Sequence, residues 1–138
     1  MIFFIDTNIF ARLIIEDDKK SYHECDSFFE QVRLGKFVAI TSTLILAEVG
    51  WLLKSYYRLS KIKIVESLKG IGSLSGLKIM GEPNWSEAIS LYQNFSVKLT
   101  DAMIASIPKV ASKEWTVISY DLDFKKLPVK WLLPGDVI

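Results

Sequence analysis

The sequence contains very little cysteine and histidine, with one residue of each among 138, Cys25 and His23. A single cysteine excludes an intramolecular disulfide and a zinc site built from cysteines. A cysteine–histidine nucleophile pair also fits poorly, because residues two apart on a helix point to different faces and no third, orienting group is evident. We therefore interpret Cys25 as a buried or half-buried helix thiol.

Long uninterrupted apolar runs are also missing. The apolar N-terminus is interrupted by Asp6, Asn8 and Arg12, and no basic segment precedes it, so we expect neither a signal peptide nor a membrane span. A charge excess is absent too, because 17 basic residues accompany 16 acidic ones, for a formal net charge of +1. This balance argues against a broad basic surface, although local basic residues and a metal could still hold a polyanion. We expect a soluble, cytoplasmic protein.

No repeat, low-complexity segment or linker divides the chain, and half of its residues are hydrophobic, which suits one packed domain over residues 1–138. Short apolar segments typical of buried strands occur at 2–5, 37–41, 77–80, 115–119 and 129–133. Segments with helical spacing lie between them, from about residue 7 and at 21–34, 42–57, 60–70, 83–95 and from 100 onwards. This alternation predicts the α/β class, as an α/β/α sandwich with a short, mostly parallel central sheet.

The helix that begins near residue 100 contains a local conflict. Thr100 is expected to cap it, and Pro108 falls where a regular helix would continue. Proline inside a helix removes a hydrogen bond and costs about 3 kcal/mol. We expect a kink or a break at Pro108, or a helix that ends near Ile107.

Four carboxylates stand in otherwise apolar segments: Asp6, Glu48, Asp101 and Asp121. A buried, isolated carboxylate costs several kcal/mol unless it is paired, protonated or bound to a cation. Asp6 and Asp121 directly follow predicted strands, and the other two lie near helix starts, so all four should face the edge where parallel strands end. Too few basic residues lie near them to pair every acid. We therefore predict a site for a divalent metal, with Mg²⁺ or Mn²⁺ as the oxygen-preferring ions.

Each acid also has an ordinary structural interpretation. Asp6 could be a helix N-cap, Asp101 could complement a helix dipole, and Asp121 could be a turn residue. Glu48 could lie at a solvated helix edge, but its neighbours are apolar and no basic residue stands four positions away. One shared site explains all four acids together better than four separate explanations do.

Four segments resemble, in order, the acidic motifs of PIN-domain ribonucleases: residues 6–10 (DTNIF), 46–49 (LAEV), 99–102 (LTDA) and 119–124 (SYDLDF). Each motif alone is weak, but their order and spacing match over the whole domain. The compact size and this motif set look most like the VapC-type toxins of toxin–antitoxin pairs. The resemblance implies a PIN-like fold, and it implies a small antitoxin and a second copy of the chain as partners.

The resemblance also implies the activity of a metal-dependent endoribonuclease. It would hydrolyse phosphodiester bonds of single-stranded or looped RNA at the four-carboxylate site and leave a 5′-phosphate and a 3′-hydroxyl. Asp6 and Asp101 would be the central metal ligands, and Glu48 and Asp121 would complete the catalytic set directly or through water. Asp123 would be an accessory ligand or a structural residue.

Neighbouring polar residues are candidates for orienting the acids or contacting phosphate: Thr7, Asn8, Thr100, Ser119 and Arg12. Helix capping explains Thr100 and Ser119 equally well. Three other functions remain open. The chain could be a PIN nuclease of RNA processing, or a PIN-like module that binds RNA or a partner without cutting. A haloacid-dehalogenase-like phosphatase would need a carboxylate two residues after Asp6, where Asn8 stands.

Overall fold

A computed structural model describes residues 1–138 and contains five strands and seven α-helices. The strands are β1 (Ile2–Ile5), β2 (Val38–Thr41), β3 (Leu77–Ile79), β4 (Thr116–Ile118) and β5 (Trp131–Leu132). Their order across the sheet is β3-β2-β1-β4-β5, and every pairing is parallel. The predicted α/β class with a short parallel central sheet is confirmed, and β5 is an edge strand as expected.

The helices occupy the connections between the strands. They are α1 (Thr7–Ile15), α2 (Lys19–Arg33), α3 (Thr43–Ser55), α4 (Lys61–Gly72), α5 (Trp85–Asn94), α6 (Leu99–Ala105) and α7 (Pro108–Ala111). Short 3₁₀ helices follow at Leu122–Lys126 and Pro134–Asp136. None of the helices combines the length and the hydrophobicity that crossing a bilayer requires.

The central strand β1 is buried on both faces, as its continuous apolar sequence predicts. Phe3, Phe4 and Ile5 are all fully buried. Phe3 packs edge to face on Phe28 of α2, with 5.5 Å between ring centroids, and Phe4 stacks on Trp115 at 6.3 Å. Because successive side chains of a strand point to opposite faces, these contacts lie on the two sides of the sheet. Both faces must therefore be covered, which is the sandwich arrangement.

The carboxyl ends of β1 and β4 lie side by side. Ile5 pairs with Ile118, and the Asp6 amide N–H donates to the Ile118 carbonyl at 3.1 Å. The end of β2 is joined to the same edge, since the Thr41 hydroxyl donates to the Ile5 carbonyl at 3.0 Å. Residues that follow these three strands therefore leave the sheet at one place, which is where the acidic side chains were expected.

The helical segment is interrupted between α6 and α7. Helix α6 ends at Ala105, and Pro108 is the first residue of α7, where its missing N–H would have no partner in any case. The prediction that Thr100 caps the helix is wrong. Lys98 is the N-cap residue, with extended backbone angles and its carbonyl accepting from the Ala102 N–H at 3.1 Å. The helix starts one residue before Thr100, so Asp101 is its third residue.

Candidate metal centre

Asp6 is held in a fixed orientation at the start of α1. It is the N-cap of that helix, and its Oδ1 accepts from the Thr7 amide at 2.7 Å. Its Oδ2 accepts from the Ser119 hydroxyl at 2.6 Å and from the Asn8 side-chain amide at 3.3 Å. The residue is 4% exposed. The ordinary structural interpretation of Asp6 as a helix N-cap is therefore confirmed. Its carboxylate also lies at the edge where β1 and β4 end.

Ser119 connects the groups that follow β1 and β4. It is fully buried, and its Oγ accepts from the Asn8 side-chain amide and from the Asp121 N–H, both at 3.0 Å. Asn8 in turn accepts from the Tyr120 N–H at 3.0 Å through its side-chain oxygen. Neither Ser119 nor Asn8 caps a helix, because Asp6 and Asp121 hold those positions. The geometry is that of two side chains that orient carboxylates.

Three carboxylates converge beside this network. Asp101, Asp121 and Asp123 each offer one oxygen, and these oxygens all lie within 4.8 Å of one another. Asp101 is 2% exposed, and its Oδ2 is buried without a hydrogen-bond partner. Leaving a buried acceptor unsatisfied costs about 1–3 kcal/mol, and more for a charged group. A hard divalent cation is a suitable partner for an oxygen cluster of this kind, so the residues present fit Mg²⁺ or Mn²⁺.

Asp6, Glu48 and Asp101 line one pocket of about 210 Å³, which has room for several water molecules at about 30 Å³ each. Its other polar lining residues are Thr7, Asn8, Arg12, Tyr57 and Lys98. Glu48 lies in the second turn of α3 and faces the pocket from the helix opposite Asp6, outside the three-acid group. Thr100 does not line the pocket.

A lysine side chain lies at the site, and the sequence pattern did not reveal its presence there. The Lys98 ammonium lies 2.8 Å from Asp121 Oδ2. Lys126 lies 3.1 Å from Asp123 Oδ1 in the same way. Of the four acids only Asp121 is paired, since Asp6, Glu48 and Asp101 form no salt bridge, in agreement with the expectation that basic residues are too few to pair every acid. Lys98 stands 23 residues before Asp121 in the sequence, and only the folded arrangement brings them together. The nearest sequence signal was its position three residues before Asp101.

Arg12, the predicted phosphate contact, faces the pocket from α1. Its guanidinium carbon lies 5.9 Å from the centroid of the Tyr120 ring, and one of its nitrogens lies 3.6 Å from Asp17 Oδ1. The side chain is about one-third exposed, so the guanidinium is held at the rim of the pocket and remains accessible to solvent. Phosphate binding by Arg12 stays a prediction.

Cys25 is excluded as a nucleophile. It is fully buried in α2, and burial raises the pKa of its thiol to about 12. The thiol has the Tyr120 hydroxyl as its polar neighbour, at 3.8 Å. A thiol with so high a pKa is protonated at neutral pH and does not attack a substrate.

Burial also changes the acidity of Asp6. It raises the pKa of this carboxyl to about 6, and the negative charge of Glu48 adds to the effect. Hydrogen bonds from Ser119 and Thr7 favour the ionised form and oppose the rise.

The pKa values of Asp101 and Asp121 are shifted in opposite directions. Burial, followed by repulsion from Asp121, raises the pKa of Asp101 well above its ordinary range. Burial also disfavours the charged form of Asp121, but hydrogen bonds from Lys98 and from the Asp123 amide outweigh it and lower the pKa of Asp121. The metal-free site therefore contains one carboxyl that resists ionisation beside one that is stabilised as an anion.

Without metal, the contribution of Asp6 to stability should decline as the pH rises. Below the ordinary pKa of 3.8 the carboxyl is protonated in both the folded and the unfolded chain. Above 3.8 the unfolded chain ionises first, so stability is lost until the pH passes the folded pKa of about 6. The total loss should be about 3 kcal/mol.

Urea unfolding in EDTA between pH 4 and pH 7 tests this expectation. The free energy of unfolding of the wild type minus that of Asp6→Asn reports the titration of Asp6 together with its coupling to Glu48 and Asp101. Over that range the difference should move in favour of the variant as the pH rises. A difference that stays constant would contradict the raised pKa of Asp6.

The fold and the site together define an α/β protein with a carboxylate pocket at the carboxyl edge of a parallel sheet. The chain belongs to the PIN-domain family, since the family model for the PIN domain matches residues 3–130. No curated protein matches the chain significantly by sequence.

Three solved structures have the same fold. VapBC2 from Rickettsia felis, solved bound to a DNA fragment from its promoter, is 20% identical, with a TM-score of 0.67 over 96% of this chain and 98% of that one. The sarcin–ricin-loop-cleaving toxin VapC20 from Mycobacterium tuberculosis is 16% identical, with a TM-score of 0.63 over 94% and 99%. PAE2754 from Pyrobaculum aerophilum is 17% identical, with a TM-score of 0.61 over 93% and 86%. At these identities the likeness shows the fold alone.

Proposed function

We propose that this chain is a divalent-metal-dependent endoribonuclease. One observation carries the proposal: Asp101 has a buried carboxylate oxygen with no hydrogen-bond partner, in a group of three converging aspartates. An ionised carboxylate with such an oxygen is costly to bury, and a divalent cation would offset that cost. Membership of the PIN-domain family supports the same chemistry.

The chain's own residues divide the work of the proposed site. Asp6 and Asp101 would be the central ligands of the cation. The remaining acids, Asp121, Asp123 and Glu48, would complete the site. Ser119 and Asn8 fix the direction of Asp6 through the hydrogen bonds described above. When bound, Mg²⁺ or Mn²⁺ would supply the Lewis acid that activates water and neutralises charge developing on the phosphate. Arg12, which lines the pocket, would hold a neighbouring phosphate of the RNA.

We further propose that the protein is the toxin of a toxin–antitoxin pair and acts on single-stranded or looped RNA in the cytoplasm. Two structures of the same fold support this proposal, one of VapBC2 and the other of a sarcin–ricin-loop-cleaving toxin. The partner would be a small antitoxin protein. The chain would also pair with a second copy of itself. Trp51 of α3 and Tyr56, which directly follows α3, are 65% and 72% exposed and are candidates for that contact.

Cleavage of an end-labelled, stem-loop RNA tests the nuclease function. The purified protein should cut it with Mg²⁺ or Mn²⁺ and not with EDTA, and Asp6→Asn should not cut it at all. Asparagine is as good an N-cap as aspartate, so this variant keeps the start of α1 intact. Asp26→Asn, which changes an exposed acid on α2, should cut as the wild type does. Metal-independent cleavage that survives Asp6→Asn would contradict the proposal.

A second measurement separates the nuclease from a PIN-like module that binds without cutting. Calorimetric titration of the wild type with Mn²⁺ should give a binding heat that Asp6→Asn loses. No heat with either protein would favour the binding module. Inhibition of cleavage by the product of a small adjacent reading frame would distinguish a toxin from a nuclease of RNA processing.

A further inference from the structure

Lys98 carries the positive charge that lies closest to the three-aspartate group. Its ammonium is 2.8 Å from Asp121 Oδ2, and it lines the pocket together with Asp6 and Asp101. Both oxygens of Asp121 are engaged, since its Oδ1 accepts from the Asp123 N–H at 2.9 Å. A cation that approached Asp121 Oδ2 would therefore meet the ammonium already there, and the two positive charges would repel each other.

The Lys98 side chain is free to leave this contact. It is 65% exposed, although its partner Asp121 is only 18% exposed. Lys98 caps α6 through its backbone, with no hydrogen bond from its side chain to the helix. Withdrawing the ammonium from Asp121 therefore disturbs neither the core nor the helix start, and the contact is held mainly by charge.

A second surface lies within reach of the same side chain. Lys98 also lines an open groove with Tyr92, Phe95 and Asp123, and Glu48 is not part of that groove. It is the one residue common to this groove and to the acidic pocket. A nucleic-acid strand that entered the pocket along the groove would pass over Lys98, and lysine binds phosphate as a mobile point charge.

We propose that Lys98 is an exchangeable cation of the site: its ammonium neutralises Asp121 in the metal-free protein, and on metal binding it leaves to hold a phosphate of the RNA. This inference rests on the proposed function. Lys98 would then compete with the metal for Asp121 and would contact the RNA. Removing its charge should strengthen metal binding and weaken RNA binding.

The test uses Lys98→Met, which keeps an unbranched apolar stem without the charge, and Lys98→Arg, which restores the charge. Lys109→Met is the matched control, because Lys109 also makes a 2.8 Å ion pair, with Glu114, at a distant surface. Calorimetry with Mn²⁺ alone should give a Kd that is about 3- to 10-fold lower for Lys98→Met than for the wild type. Lys109→Met should bind Mn²⁺ as the wild type does.

Substrate binding should change in the opposite direction. At saturating Mn²⁺, Lys98→Met should raise the KM for RNA by about tenfold with a smaller change in kcat. The salt dependence of RNA binding should decrease by an amount that corresponds to about one phosphate contact. Lys98→Arg should restore the wild-type KM and the wild-type salt dependence. Thermal unfolding in EDTA checks that the variants fold.

Each result decides something different. Weaker or unchanged Mn²⁺ binding by Lys98→Met, in a protein whose wild type binds and cuts, would overturn the exchange and leave the nuclease function standing. Tighter metal binding by Lys98→Met without any change in KM or salt dependence would overturn the proposal that Lys98 holds an RNA phosphate. No Mn²⁺ heat with the wild type would overturn the metal-dependent function and the exchange together.

Discussion

Asp101→Asn is expected to abolish metal-dependent RNA cleavage and to stabilise the metal-free protein. Both effects have one cause: the carboxylate is 2% exposed, one of its oxygens is unpaired, and burial with repulsion from Asp121 raises its pKa. Ionising this group at neutral pH is unfavourable unless a cation is bound. An asparagine has no charge to bury, and its amide can donate to the Asp121 carboxylate.

The expected magnitudes are large enough to measure separately. Loss of a ligand that supplies several kcal/mol of charge stabilisation should lower the cleavage rate by about a thousandfold or more. In EDTA at pH 8, the free energy of unfolding should increase by about 1–3 kcal/mol. Saturating Mg²⁺ should stabilise the wild type but not Asp101→Asn, so the order of stability of the two proteins should reverse.

Asp121→Asn provides the internal contrast. Lys98 and the Asp123 amide favour the anion of Asp121 and lower its pKa, so its loss should leave the stability in EDTA unchanged or reduced. If Asp101→Asn instead destabilises the metal-free protein, Asp101 is a structural carboxylate and the argument for a metal is lost.

The shared edge that positions the acids was predictable from short-range patterns. The continuous apolar run of β1 predicts a strand buried on both faces, and parallel strands place the residues that follow them at one edge. Asp6 and Ser119 are adjacent for that reason, since the Asp6 N–H continues the ladder to Ile118. The break at Pro108 was equally predictable, because proline lacks the N–H that a continuing helix needs.

Contacts between side chains of distant segments were not predictable in this way. The pairing of Lys98 with Asp121 depends on where α6 starts, and that start was misplaced because Thr100 has a better side chain for capping than Lys98 does. The position of Asp123 depends on a turn in which the Asp121 side chain accepts from the Asp123 N–H, which begins a 3₁₀ helix. The sequence indicates a turn at Asp121, but it does not indicate where that turn places the Asp123 carboxylate.

Ser119→Ala is expected to reduce both stability and metal binding, although Ser119 is not a proposed metal ligand. Its hydroxyl donates to Asp6 at 2.6 Å and accepts from Asn8 and from the Asp121 N–H, so alanine removes the acceptor of two half-buried donors. One buried unsatisfied group costs about 1–3 kcal/mol, and the free energy of unfolding should fall by at least that amount.

The effect on the site should be larger than the loss of stability explains. Without Ser119, Asp6 loses the shortest of the hydrogen bonds that fix its direction. Removal of such an orienting partner lowers metal affinity or activity by about 10- to 100-fold. Ser106→Ala is the matched control, because Ser106 is also buried and bonded, to the Met103 carbonyl and the Asn84 N–H, but lies outside the acidic pocket. It should lose stability and keep the wild-type Kd for Mn²⁺. Equal losses of Mn²⁺ affinity in both variants would show that Ser119 acts through general stability and not through the direction of Asp6.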